Sequence, residues 1–392
     1  MVDRASIVIG VCSSVVLISA PAAAKDLSWT LKLEAGSEYD SNVFRLERPE
    51  GQAVDIESAP LARLGTRFAL GYRPWRGEKL DFRGFLGTKL FTTEEAQSEN
   101  VAVASVDGGY SWALRSRPVV LGLRGSHYNA ENYEAFGEGR PVAGRTFATS
   151  GVEATTTLIG RPGHSVRLGA GYRNFDYKPD PDFDWHGLSL SAGYRGSIWL
   201  GEPEVEPDVA SVDVTVRYRL DRRDYRGLAF RNQCGPQEAL EPRCSIPTDG
   251  GRHDLMHIAL AELAYTGERL YSLRYQAQVN DSNSFTQSFV RHRVDVGMTT
   301  ELIADIFLTA RGTLQFNVFL DSLLITQDVN SQTFVSIDDE NRNSLSLVLS
   351  KDLSDAVTAE ARYVIYSNEF ATRELDFRRQ TAYFGFVYRT GS

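Results

Sequence analysis

The sequence predicts an all-β chain, an antiparallel transmembrane β-barrel of about sixteen strands, and three observations carry that expectation. Apolar and polar residues alternate with a period of two in segments of roughly ten residues, the length a tilted strand needs to cross the hydrocarbon. The composition suits strands: 33 Gly, 17 Tyr and 20 Phe stand against 14 Pro and 3 Met in 392 residues. Mean hydropathy is −0.27, and past the N-terminus no apolar run reaches the roughly 18 residues of a membrane-spanning helix, which excludes a polytopic helical membrane protein. The net charge of −9 argues against nucleic acid as a partner, since grip on a phosphate backbone needs net or clustered positive charge on an exposed face.

Residues 1–24 read as a secretory signal peptide. Arg4 is followed by an apolar stretch from Ala5 to Ala20, and Ala22 and Ala24 stand at A-x-A spacing before Lys25. Cleavage between Ala24 and Lys25 leaves residues 25–392 as one barrel domain. Cys12 leaves with the leader, so Cys234 and Cys244 remain, close together in an exported chain where a disulfide persists. They are expected to pair.

The alternation sorts by chemistry. Leu64, Phe68, Leu70 and Tyr72 share one parity while Arg63, Arg67 and Arg73 share the other; Val166, Leu168 and Tyr172 oppose Arg167 and Arg173; Tyr271, Leu273, Tyr275 and Val279 oppose Arg274 and Gln276. Successive strand residues point to opposite faces, so one face meets lipid and the other water. A soluble sandwich would instead bury its apolar faces against each other on shorter strands. Segments begin near Trp29, Leu61, Leu80, Val101, Val119, Thr146, Ser165, Gly187, Val209, Leu255, Leu270, Ser288, Asp305, Asn343, Val357 and Phe377. Short connections, such as Arg73 to Lys79 and Arg161 to His164, are expected on the periplasmic side. Long ones, such as Asp40 to Pro60 and Asp221 to Arg252, are expected outside; Gly196 to Asp208 breaks this rule. Tyr72, Tyr110, Trp112, Tyr194, Trp199, Tyr265 and Tyr388 are expected to form an interfacial belt.

A barrel of this size encloses water, so function is sought in its lumen. Parity places fifteen arginines inward: Arg63, Arg67, Arg73, Arg83, Arg124, Arg167, Arg173, Arg195, Arg217, Arg219, Arg274, Arg291, Arg293, Arg311 and Arg362. Eight acids share that face: Glu34, Asp81, Asp107, Glu153, Asp213, Glu262, Asp295 and Glu360. Guanidinium forks grip carboxylate, phosphate or sulfate, so the surplus points to an aqueous conduit for anionic solutes or for export of an anionic polysaccharide. Pairing with the inward acids to brace the wall is the competing use of the same arginines. The cysteine-bearing connection either lies on the surface or folds into the pore. The outer acids, among them Glu94, Glu95, Glu99, Asp180, Asp182 and Asp184, form a solvated rim or hold divalent cations at a lipopolysaccharide surface.

No cofactor, metal site or catalytic residue is expected. Ser126 and His127 resemble the rim of a barrel hydrolase only by adjacency, and adjacent strand residues point to opposite faces. The remaining histidines show no metal-ligand spacing.

After the leader, Tyr39, Asp40, Ser41, Asn42, Val43, Phe44 and Arg45 close the first strand. This run resembles the opening of outer-membrane β-barrel porins found near exopolysaccharide genes. It is also similar to the run that opens the barrel of surface lipoprotein assembly modifiers, which carry a helical repeat domain ahead of it. The resemblance implies a pore in the outer membrane of a Gram-negative bacterium. Its implied partners are outer-membrane lipid and lipopolysaccharide, the barrel-assembly machinery, and periplasmic polysaccharide-export or envelope-complex proteins. A non-conducting surface or scaffold barrel is the alternative. Phe384, Phe386 and Tyr388 alternate as a last strand recognised during assembly should, with Arg389 to Ser392 following where a terminal aromatic is usual.

Thiol labelling of the unreduced mature protein tests the cysteine pair: Cys234 and Cys244 should label only after reduction, and ready labelling without reductant contradicts the disulfide.

Overall fold

The computed structural model describes residues 26–44, 48–49, 55–114, 117–132, 146–178, 180–201, 209–233, 245–285, 287–303, 305–320, 343–367, 375–376 and 378–392. Its strands are β1 (Leu27–Asp40), β2 (Ala59–Tyr72), β3 (Glu78–Phe91), β4 (Val101–Ala113), β5 (Val119–Asn132), β6 (Phe147–Ile159), β7 (His164–Tyr177) and β8 (Trp185–Trp199), continuing with β9 (Ser211–Asn232), β10 (Ser245–Thr266), β11 (Leu270–Ser282), β12 (Phe289–Ile303), β13 (Ile306–Phe319), β14 (Asn343–Asp352), β15 (Val357–Ser367) and β16 (Arg378–Gly391). Each pairs antiparallel with its chain neighbours and β16 pairs with β1, so the sixteen close into a barrel. Apart from it, Arg48–Pro49 pairs with Leu375–Asp376.

Closure answers a physical demand. No water in hydrocarbon satisfies an unpaired N–H or C=O, so a sheet crosses a membrane only without edges. The β1–β16 seam runs in unbroken register from Thr30 opposite Gly391 to Asp40 opposite Thr381. Side chains reinforce it. The Tyr383 ring lies so close over Gly36 that a Cβ there would come within 2.5 Å of Tyr383 Cε2. At the seam's end, Asp40 is fully buried and accepts from the Arg379 guanidinium, while the Ser41 N–H donates to the Gln380 carbonyl at 3.0 Å and the Asn42 amide donates to the Arg378 carbonyl at 3.3 Å. Val43, also fully buried, packs with Ala59, Leu61, Phe91 and Ala96. The run Tyr39 to Val43 is thus the latch of the barrel.

The short connections gather at one end, where Asp26 and Ser392 also lie: Arg73 N–H donates to the Asp26 carbonyl and Ser392 N–H to that of Trp29. Gly77 (φ 89°) and Gly163 (φ 79°) take left-handed conformations in the tight turns before β3 and β7, which a side chain would strain. At this same end the Leu200 N–H donates to the Ala210 carbonyl at 2.9 Å, and the register of β8 with β9 is continuous from Trp199 opposite Ser211 to Trp185 opposite Tyr225.

Two expectations need correction. The segment from Asp221 to Arg252 is not one long connection: β9 and β10 are 22 residues each and continue as a hairpin arm to Asn232 and from Ser245. Their outward parity changes from Val214 and Val216 to Arg222 and Asp224 while the ladder runs on, with irregularities near Leu228. Ladder hydrogen bonds do not require lipid, so the strands outlast the apolar pattern. Trp199, expected in the outward belt, stands instead on the opposite parity from Tyr194 and Ile198. The leader, Cys234 and Cys244 lie outside the described residues.

Replacing Arg379 by Ala strands the Asp40 carboxylate in a buried position, a loss of roughly 3–5 kcal/mol for a broken buried pair. Urea unfolding of the detergent-refolded barrel should show a correspondingly lower midpoint; an unchanged midpoint would deny the latch its role.

Candidate functional site

Residues opposite one another in an antiparallel ladder share a face, so the register assigns every strand residue to one of two sides. Followed through all sixteen pairings, the set that begins with Glu34, Gly36 and Glu38 on β1 returns to the same residues from β16. The other set carries the exposed apolar side chains, including Leu64, Leu86, Leu123, Leu168, Leu188, Leu190, Val216, Leu273, Leu314 and Phe384. Large apolar surface open to the surroundings on every wall is a surface for lipid.

The first set converges. Arg124 reaches Asp81 (3.2 Å) on β3 across β4, Lys89 reaches Glu38 (2.7 Å) on β1 across β2, and Arg362 approaches Glu34 (3.8 Å) on β1 across β16. Side chains that bridge an intervening strand in this way lie on the concave side. All fourteen strand-borne arginines named from the sequence belong to this set, and Arg73 follows β2 at the same parity.

Their environments differ. Arg63, Arg124, Arg167, Arg195, Arg219, Arg293 and Arg362 each contact a carboxylate, with Arg63 held between Glu34 (2.8 Å) and Glu38 (3.2 Å) at 2% exposure. Arg291, also buried, donates to the Asn317 side-chain carbonyl at 2.7 Å. Arg67, Arg73, Arg83, Arg173, Arg217, Arg274 and Arg311 have no carboxylate within 4.0 Å among the described residues. Arg67 instead lies 5.1 Å from the Phe85 ring centroid.

Burial divides this wall along the barrel axis. Toward the long-connection end the concave side chains are buried: Tyr128, Phe147, Phe175 and Trp185 stack in sequence at ring separations of 5.3, 5.4 and 5.9 Å, with the Arg223 guanidinium 4.4 Å from the Trp185 ring. Arg252 and Asp254 form a buried pair at 2.6 Å nearby, and Asp254 also accepts from Ser282 and Asn280. Toward the short-turn end Lys32, Arg67, Arg83, Arg217, Arg274, Arg311 and Arg389 are exposed. The concave face is therefore filled at one end and open at the other.

Sequence reasoning did not single out Lys32, Glu38, Lys89, Arg379 or Arg389. Counting every charge at inward parity, rather than arginines within the apolar segments, would have found them. Ser126 and His127 lie on opposite faces, and His127 Nδ1 instead meets Ser150 Oγ at 2.8 Å on the lipid-facing parity. Asp180 and Asp184 act locally: Asp180 accepts from the Asp182 N–H at 3.1 Å, Asp184 from that of Tyr177 at 2.6 Å. Glu99 is buried rather than part of a solvated rim.

No protein-family model and no curated protein sequence matches this chain. Solved structures with a similar shape are outer-membrane β-barrels. CdiB from Acinetobacter baumannii is 9% identical with a TM-score of 0.46, over 94% of this chain and 61% of its own, so the present chain spans about three fifths of its length. OmpF from Salmonella typhi, solved with daunomycin, is 11% identical with a TM-score of 0.44 over 93% and 97% of the two chains. A loop-deleted OmpT, an outer membrane protein of Vibrio cholerae, is 11% identical with a TM-score of 0.42 over 93% and 100%. The likeness is one of barrel form alone.

Proposed function

We propose that the chain is an outer-membrane conduit whose water-facing wall favours anions, narrowed at its long-connection end. The observation that carries this reading is the set of exposed concave arginines without carboxylate partners, Arg67, Arg83, Arg217, Arg274 and Arg311, inside a barrel whose convex face is apolar. Unpaired guanidinium groups in a water-filled passage raise the local concentration of anions and offer bidentate contacts to carboxylate or phosphate. The buried stack from Tyr128 to Trp185 sets the narrow part. Short turns belong on the periplasmic side in such barrels, so the open, cationic half faces the periplasm. The exposed Phe384, Phe386 and Tyr388 on β16 fit insertion by the barrel-assembly machinery, and the apolar girdle fits a seat among outer-membrane lipid and lipopolysaccharide.

Export of an anionic polysaccharide is the larger-cargo version of the same reading. Its support from the sequence is the resemblance carried by Tyr39 to Arg45, and Asp40, Ser41, Asn42 and Val43 are engaged in closing the barrel. Those residues speak for a barrel and not for its cargo, so small anionic solutes are the favoured cargo.

Planar-bilayer recording of the refolded protein tests the reading. Openings should appear with a reversal potential that follows the chloride gradient in asymmetric KCl; a silent barrel would favour the scaffold alternative, and cation preference would reject the anionic wall. The double variant Arg217→Ser with Arg311→Ser should move the reversal potential toward zero, whereas an equal shift from Arg222→Ser on the opposite parity would show that the concave wall does not set selectivity.

A further inference from the structure

In one row of the open wall, cations without carboxylate partners stand directly opposite one another across the ladders. On adjoining strands, Lys32 of β1 stands directly opposite Arg67 of β2 on one side and directly opposite Arg389 of β16 on the other. Arg83 of β3 continues the row, because it faces Ala69, two residues from Arg67 on the same side of β2. Directly opposite positions hold Cβ atoms about 4.5–5.5 Å apart and diagonal ones about 7–8 Å, and like charges so placed destabilise a sheet. Four cations on four consecutive strands therefore work against the fold unless something else occupies the space between them.

Carboxylates are near enough to have relieved this repulsion, and each is committed elsewhere. Glu34, the next concave residue on β1, is held by Arg63 at 2.8 Å and approached by Arg362 at 3.8 Å. Asp107 stands opposite Arg83 in register, yet contacts Arg124 at 2.8 Å, and Asp81, two residues from Arg83, contacts the same Arg124 at 3.2 Å. Among the described residues none of the four cations has a carboxylate within 4.0 Å, and all four are exposed. The Phe85 ring beside the Arg67 guanidinium, at 5.1 Å, provides a wall behind one of them.

We propose that Arg83, Arg67, Lys32 and Arg389 form a binding site for a multivalent oxyanion, entered from the short-turn end. Two or more negative groups on one ligand are required, because a single charge leaves most of the row uncompensated. A polyphosphate and an oligosaccharide bearing several carboxylates share this chemistry. The inference deepens the anion-conduit reading and rests on it for the placement of the row in water, but binding does not depend on conduction.

Isothermal titration calorimetry on the full-length mature protein refolded in detergent separates the two. Pyrophosphate and trigalacturonate serve as probes, one for each source of the anion. The wild type should bind at least one of them, and Lys32→Gln with Arg67→Gln and Arg389→Gln should weaken that affinity at least tenfold. Failure of the wild type to bind either probe overturns the site. An equal loss in the triple variant Arg217→Gln, Arg274→Gln, Arg311→Gln overturns it as well, because the field of the whole lumen would then be responsible. Binding by a barrel that shows no bilayer openings retains the site while rejecting the conduit. Folding of the seam variant is checked by the migration of unheated and heated samples in a denaturing gel. Relief of like-charge repulsion should leave its urea midpoint equal to or above the wild type's in phosphate-free buffer; for the single substitution Lys32→Gln a fall below wild type would mean that the row braces the wall, and would contradict the proposal.

Discussion

Everything in this barrel depends on closing the hydrogen-bonded ring between its first and last strands. A strand edge in hydrocarbon leaves N–H and C=O groups unsatisfied at several kcal/mol each, by the transfer cost of an unpaired amide. The seam therefore carries more than its ladder. Tyr383 covers the space left by Gly36, Asp40 and Arg379 pair in a buried position, and Ser41 and Asn42 bond the backbone of residues 378 and 380. Closure also settles which face each residue occupies. With every strand paired on both sides, a one-residue slip at any ladder would carry a whole strand's apolar set into water and its charges into lipid.

That coupling explains why the two faces were legible in the sequence. Alternation of Leu, Val, Phe and Tyr with Arg, Ser and Gly reports directly on lipid and water, and parity is preserved along a regular strand. Legibility stopped where lipid stopped reporting. In β9 beyond Leu220 the outward positions are Arg222 and Asp224, so the contrast between faces fades while backbone pairing to β10 continues. Trp199 misled for a related reason, because aromatic type suggests the interface but parity at the end of β8 sends it to the other side. The partners of each arginine were less legible still. Arg124 draws both Asp81 and Asp107, leaving Arg83 with neither, and that choice depends on strand stagger and side-chain reach. The run from Tyr39 to Val43 reads as a turn because Asp, Ser and Asn bond nearby backbone. Its partners at residues 378 to 380 lie more than 330 positions away.

The concave wall obeys two electrostatic regimes. Where it is filled, charges come with partners: Arg63 with Glu34 and Glu38, Lys89 with Glu38, Arg252 with Asp254, Arg379 with Asp40. Desolvation is the reason, since an unpaired ion deprived of water costs far more than a paired one. Where the wall is open, some arginines keep an acid, as Arg195 does with Asp213, while Arg67, Arg83, Arg217, Arg274 and Arg311 have none within 4.0 Å among the described residues; solvent and counterions attenuate their repulsion over about 8–10 Å at moderate ionic strength.

Two consequences follow for what the open half is suited to do. A surplus of cations is stable only while water or a counterion reaches them, which ties these arginines to the exposed part of the wall. The acids on the same wall show that neutralisation was available to the fold, since one guanidinium at residue 124 takes two carboxylates while its neighbour at residue 83 takes none. Were bracing the only use of these side chains, sharing the acids more evenly would give the sturdier sheet, because like charges at opposed positions oppose folding. The uneven distribution is the feature on which the proposed preference for anions rests: charge is compensated at buried positions such as Arg63, and left uncompensated at exposed ones such as Arg83.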